Sequence, residues 1–587
     1  MNETDTVFRI TKNTGSHGDV FAAVGLADLL AASASAGTVS LFDAGSAFEV
    51  RLDLPFGEAL SAAIPQAPGY PFLKANSKTQ VPKGAQDPVD YQAEKAKADR
   101  QKKIKLEKRK KIRGAVDATT QEQVQEEQLR QDWRLLQVLN VLQGDETSNK
   151  VHEAIVTLSP EQFQHDVSLA LRSLLNGEPS GLTWGASTVQ LFNPLAAKGY
   201  SRLKPDSTDR NDKTKEQWSD PFQEWLKYRG YFRVAAPYFQ GSKGEHVRLV
   251  CPIPRDIRIN ALISLAFELR RSPVWGGPPK LDSLAVLRLA ELLVRHSEEY
   301  AAEAVDVWPG LTLKDKTPAD IISGVMVTHY QSMGNAKAVG TMSAIALPGW
   351  FQIESVDDAR AWLEILEEHQ AVVRGLQDDH SDEIGLLIQY RRFLENRGEN
   401  SLRALLDFMG RYGPFLIRAR EQRRRVRSFR TDYLRRIIMG TTPSLEAVLN
   451  DAGFQAVASA IRKSTVSAQA LKAMGARDYR EIRYDLLPDL RRKRSLPGER
   501  PLLEAVADFI SIYNSENARR REMKKRAPRN VTTEEFMSFT ALLPKYGSST
   551  VGALLCAYAS CREPKDEESV EGTDSSPEQD TNEQAAS

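Results

Sequence analysis

Residues 418–438, RAREQRRRVRSFRTDYLRRII, hold nine arginines against one glutamate and one aspartate, and their pattern predicts a single helix. The stretch lies in a longer region, 391–530, that carries 32 Lys and Arg against 16 Asp and Glu, while the whole chain sums to +1. Basic runs recur along it: Arg423-Arg424-Arg425-Val426-Arg427, Arg491-Arg492-Lys493-Arg494 and Arg519-Arg520-Arg521. Arginine outnumbers lysine there, and its planar fork matches phosphate oxygens better than a point charge does. A near-neutral chain that gathers its positive charge in one helical region is suited to meet a polyanion there, nucleic acid first.

Helical patterns also cover 356–376, 382–395, 401–409, 444–449, 502–513, 533–543 and 550–559. Thr532 and Glu535, three apart before an apolar run, offer a capping-box start. Upstream, residues 6–55 read as a small mixed module. A helix is expected over 19–32, then a hairpin of strands 39–43 and 48–52 around Ala44-Gly45-Ser46. The run 95–113, KAKADRQKKIKLEKRKKIR, has few apolar positions. It is either a solvated surface helix or a flexible arm that touches a nucleic-acid backbone. Residues 120–176 look helical, and 181–257 turn β-prone, with strands at 188–192 and 247–253.

The expected class is α+β and multidomain. It comprises a mixed module at 1–75, a basic flexible insertion at 76–118, a mixed α/β middle domain at 119–355, a basic helical domain at 356–563 and a disordered acidic tail at 564–587. At 587 residues, with 41% hydrophobic and 27% charged content, the composition is that of a soluble globular protein. Cys251, Cys556 and Cys561 make neither a disulfide framework nor a zinc set, which fits a reducing cytosol. No apolar leader opens the chain, and no run reaches the roughly 18 apolar residues of a membrane span. A cytoplasmic protein with no membrane partner is expected.

No catalytic set stands out. The doublet His165-Asp166 lacks the further His and Asp of a metal-dependent phosphohydrolase. There is no P-loop, no nucleophile elbow and no zinc-protease motif. No cofactor or metal is implied. Gly15-Ser16-His17-Gly18-Asp19 precedes a helix and is either an anion site at its N-terminus or an ordinary turn. Two Pro/Gly-punctuated loops carry groups able to read base edges: one with Asn193, Lys198, Arg202 and Lys204, the other with Gln331, Asn335 and Lys337. Plain surface loops would look the same. Phe222, Trp225, Tyr228, Tyr231 and Phe232, with Trp218, form a stripe that is either buried core or a stacking platform for bases.

Several segments together resemble the large subunits of type I CRISPR Cascade complexes. They are Ala23-Val24-Gly25-Leu26-Ala27-Asp28-Leu29-Leu30 with its hairpin, Phe192-Asn193-Pro194 to Lys204, Trp225-Leu226-Lys227-Tyr228-Arg229-Gly230, and the helical end from Phe509 through Tyr558-Ala559. The likeness is one of texture and order over much of the chain, without a defining short motif. It implies a non-catalytic subunit that engages the protospacer-adjacent motif and helps open the duplex, while guide pairing reads sequence. Implied partners are CRISPR RNA, target DNA and other Cascade subunits, in antiviral defence. The helical terminus would hold displaced or target strand and stabilise the R-loop. The resemblance also allows a second product from an internal start at Met439. Without the resemblance, a guide-independent nucleic-acid-binding protein and an enzyme with an unrecognised site remain the other readings.

Overall fold

The computed structural model describes residues 6–33, 38–112, 128–142, 144–184, 191–192, 220–240, 246–300, 307–333 and 336–564. The fold is α+β, and the chain divides into two compact units, Met1–Ala404 and Leu405–Ser587. The division thus falls later than the expected 355/356. Helices Val356–Gly375 and Ser381–Glu395 pack on helix Pro278–Arg295 and belong to the first unit.

In the first unit the strands are β1 (Val7–Thr11), β2 (Val39–Asp43), β3 (Ala47–Leu52), β4 (Phe72–Lys74), β5 (Pro88–Asp90), β6 (Ala236–Gln240), β7 (His246–Pro254), β8 (Asp256–Arg258), β9 (Ile322–Met333) and β10 (Ala336–Ala346). One antiparallel sheet runs β1-β3-β2-β8 and another runs β10-β9-β7-β6, while β4 and β5 pair in parallel. The expected hairpin is β2–β3, with Leu41 opposite Val50. Its other edge takes β8, so the 1–75 segment is not a separate module: a strand from beyond residue 250 completes its sheet.

Helix His17–Ala31 lies against helix Pro221–Val234 at backbone contact distance. A Cβ on Gly25 would stand 1.8 Å from the Leu226 carbonyl oxygen, and one on Gly230 would stand 2.0 Å from that of Phe21. The reciprocal glycines let the two helices touch. The aromatic stripe is core: Phe222, Trp225, Tyr228, Tyr231 and Phe232 are buried, so they offer no base-stacking platform. Trp218 lies outside the described residues. Residues 95–112 of the charged run lie in helix Tyr91–Ile112, and Arg113 lies outside the described residues. At the chain start, Ser16 caps helix His17–Ala31, and Asp19 accepts from the Thr14 amide and hydroxyl. The Ser16 hydroxyl accepts from the Gly18 amide and Asp19 folds back onto Thr14, the arrangement of a side-chain-capped turn.

Buried arginines in this unit are matched by carboxylates. Arg248 of β7 donates to Asp282 through Nε (2.6 Å) and Nη2 (2.5 Å), and Arg391 adds a third contact at 3.1 Å. Asp28 likewise accepts from Arg229 at 2.7 Å and Arg233 at 2.8 Å.

The second unit is helical: the rest of Gly398–Glu421, then Thr431–Thr441, Glu446–Asn450, Ala452–Ser464, Val466–Ala473, Leu486–Lys493, Arg500–Glu522, Thr533–Tyr546 and Ser548–Ser560. Helix Ala452–Ser464 is central and packs on the last two and on Arg500–Glu522. The Thr532–Glu535 capping box is present. The single helix expected over 418–438 is instead broken. Helix Gly398–Glu421 ends, residues 422–430 turn back, and Thr431–Thr441 follows. Phe429 is the cause, because it packs on Phe408 and Tyr412 of the helix it has just left, and that requires a reversal. Tyr412 secures it by donating to the Arg427 carbonyl at 2.6 Å. Met439 sits inside Thr431–Thr441, not between helices. A product begun there would lack Phe408, Tyr412 and Leu434, which are buried in this core.

Candidate nucleic-acid interface

The reversal at 422–430 places Arg423, Arg424, Arg425 and Arg427 on a turn, not along one helical face. Helix Gly398–Glu421 closes with the Arg424 amide on the Ala419 carbonyl and the Arg423 amide on that of Arg420, both 2.9 Å. This is a Schellman turn, and its left-handed position is Arg423, at φ 58°. Helix Arg500–Glu522 closes identically: Lys525 bonds Arg520, Lys524 bonds Arg521, and Lys524 stands at φ 55°. The same turn is built with glycine at Gly177 and Gly475. Glycine adopts this conformation freely, whereas other L-residues lose about 1–2 kcal/mol in it. Both basic helix ends thus keep a cation where glycine fits best.

The expected contact residues sort by what already holds them. Arg494 donates to Asp407 (2.6 Å) and the Ser549 carbonyl (3.2 Å), and Arg520 to Asp478 (2.7 Å) and the Tyr479 carbonyl (3.3 Å). Each side chain is 12% exposed, so both tie the bundle together and are unavailable to a ligand. Arg492 pairs with Asp489 at the surface, Arg521 donates to the Pro528 carbonyl and Asn530, and Arg424 lies over the Phe415 ring. Arg491 lays its stem beside Gly410, and Lys493 ends helix Leu486–Lys493, half-buried. Arg423, Arg425 and Arg519 are exposed, with no ion pair or side-chain hydrogen bond to a described residue. Lys524, Lys525 and Arg526, absent from the sequence reading, are exposed in the same way.

The duplex-reading loops fare differently. Asn193, Lys198, Arg202, Lys204 and Asn335, and the side chain of Lys337, lie outside the described residues. Gln331 is not on a loop: it pairs with Ala338 in the β9–β10 ladder, and its amide lies 3.4 Å from His329 Nδ1. The His165-Asp166 doublet is on an open helix surface, where Asp166 accepts from Gln162 and Trp184. Among the described residues no three His, Cys, Asp or Glu side chains converge as a metal site. None of the described helices is long and apolar enough to cross a membrane.

A groove of about 490 Å³ opens along helix Ala452–Ser464. Ala452, Ala456, Ser459 and Lys463 run along this side of the helix, and Arg435, Arg462, Arg529, Tyr558 and Glu563 also line the groove. Among the described residues Arg435 donates to the neutral Asn450 at 2.5 Å, and Lys463 has no ion pair to a described residue. Sequence reading missed this helix, although Asp451 signals its start by capping the Phe454 amide at 2.7 Å. Comparison with known proteins gives no matching family model and no matching curated relative.

Proposed function

We propose that the helical unit binds a nucleic-acid backbone through its two basic helix ends. In that reading the chain serves as the non-catalytic large subunit of a type I CRISPR surveillance complex. It would recognise a protospacer-adjacent motif and stabilise the R-loop in antiviral defence, with the guide RNA supplying sequence recognition. The observation that carries backbone binding is the pair of left-handed cations, Arg423 and Lys524, each beside further exposed cations. A cation near a helix C-terminus has one structural cause, because the helix dipole favours it by about 0.3–1 kcal/mol. That cause does not explain a cation at the left-handed position itself. Non-glycine residues held there point to selection for something other than stability. The assignment to a CRISPR complex rests on the sequence resemblance.

The test is the salt dependence of binding. Each phosphate contact contributes about 0.7–0.9 to the slope of log affinity against log salt. Replacing Arg423, Arg425 and Arg519 with alanine should flatten that slope by roughly two. An unchanged slope in the folded variant would make these residues a solvated face. Co-expression with the genomic neighbours, followed by sequencing of the co-purified RNA, tests the complex. Repeat-derived RNA supports it, and its absence leaves a guide-independent binder.

A further inference from the structure

One loop joins the two basic helix ends. Residues 474–485 run from helix Val466–Ala473 to helix Leu486–Lys493, and the loop is tied down at both sides. On one side Arg520 donates to the Tyr479 carbonyl at 3.3 Å and to Asp478 at 2.7 Å. Arg520 lies in the last turn of helix Arg500–Glu522, which leads into Lys524 and Lys525. On the other side the Tyr484 hydroxyl donates to Glu421, the last residue of helix Gly398–Glu421. Lys472 donates to the same carboxylate at 2.9 Å, and Arg423 follows two residues after it. Asp478 and Tyr484 are six residues apart in the chain. They therefore stand at most about 20 Å from each other. Between them Arg480 is buried, donating to Glu516 at 2.6 Å, which fixes the course of the loop. What the loop leaves outside is aromatic. Tyr479 and Tyr484 are 38% and 43% exposed, and the Tyr479 hydroxyl has no hydrogen bond to a described residue. Arg477, beside Tyr479, is exposed with no ion pair to a described residue. Single exposed apolar side chains are ordinary on a protein surface. Two tyrosines on one loop, held between two clusters of exposed cations, are not.

We propose that this loop is a stacking platform for the bases of single-stranded nucleic acid. Tyr479 and Tyr484 meet bases, while Arg477 and the cations of the two helix ends meet the phosphates beside them. The proposal rests on the reading of the helical unit as a nucleic-acid binder and adds the form of strand it takes. Every base has a π-face, so stacking on tyrosine tolerates any sequence, and a positively charged track follows the backbone. A duplex keeps its bases inside and offers this loop only phosphate. Both tyrosines are held before a strand arrives, one by its hydroxyl on Glu421 and one by its carbonyl on Arg520. That lowers the ordering cost of binding. The carboxylates of the two ties do not repel the strand, because Asp478 is paired with Arg520 and Glu421 with Lys472.

The test uses the full chain and three labelled nucleic acids of equal length: oligothymidylate, a strand with the same backbone but no bases, and a duplex. Tyr479→Ala removes no side-chain hydrogen bond to a described residue. It and Tyr484→Ala should each weaken oligothymidylate binding about fivefold, the low end for one stacked base. The tyrosines carry no charge, so the salt slope should stay as it is. The base-free strand and the duplex should bind both variants as they bind the native chain. Tyr484→Phe keeps the ring and gives up the Glu421 bond, so it should bind oligothymidylate nearly as the native chain does. Thermal unfolding checks that each variant is folded. The platform is overturned if the alanine variants bind oligothymidylate normally or lose as much on the base-free strand. A Tyr484→Phe loss equal to that of Tyr484→Ala also overturns it, because anchoring of the loop would then be the cause. In each of these cases the functional reading stands as long as the Arg423, Arg425 and Arg519 changes still flatten the salt slope. If no form binds any of the three, both fall.

Discussion

The two units put the same side chain to opposite use. In the first, Arg248 and Asp282 are 2% and 0% exposed, and Arg229 and Arg233 converge on Asp28. In the second, Arg423, Arg425 and Arg519 face solvent, and cations, Arg423 and Lys524, occupy two of the left-handed turns. Histidine divides the same way, since all eight lie before residue 405. Cation density alone does not distinguish a polyanion surface from a neutralised core. The position of the carboxylates does, because a buried cation needs its partner nearby and an exposed one does not.

Acid should separate the units most sharply. Burial pulls His17 down to about 4 and His369 to about 3, against an ordinary value near 6.5. The folded pKa lies below the unfolded one, so the unfolded chain binds protons first. This stability is complete above about pH 6.5 and is lost as pH falls toward the folded values. Each imidazole removes about 1.4 kcal/mol per pH unit inside that window. Hydrogen exchange followed from pH 7 to pH 5 should therefore show protection falling in peptides before residue 405. Peptides from 405–564, which contain no histidine, should hold theirs. Equal loss in both would break the comparison.

Removing a carboxylate comes next. Asp282→Ala leaves two arginines facing each other without their counter-charge and should cost about 3–5 kcal/mol in urea unfolding. Asp489→Ala, which removes the partner of exposed Arg492, should change stability by under about 0.5 kcal/mol. A small loss for Asp282→Ala would mean that water reaches the Arg248 site.

The smallest effect is the most pointed. Arg423→Gly relieves about 1–2 kcal/mol of left-handed strain and gives back about 0.5–1 in chain entropy. The protein should become more stable by about 0.5–1 kcal/mol and bind nucleic acid more weakly. Greater stability with undiminished affinity would remove Arg423 from the interface.

Much of the helical unit was legible along the chain. The capping box at Thr532 and the apolar spacing in Thr533–Tyr546 and Ser548–Ser560 act within a few turns, so local pattern suffices for them. The basic runs were visible for the same reason. Their sorting was not: Arg494 and Arg519 look alike in sequence, yet one is held by Asp407, 87 residues away, and the other is open. The reversal at Arg423 depended on Phe429 finding Phe408, and the completion of the first sheet on a strand beyond residue 250. Glu563 met Arg462 only once helices Ala452–Ser464 and Ser548–Ser560 had packed. Periodicity and composition thus determined the helices and the net charge, because those depend on neighbours in sequence. Which charges are spent inside the fold and which remain for a partner was decided by tertiary packing, because Coulomb pairing and burial depend on distance in space.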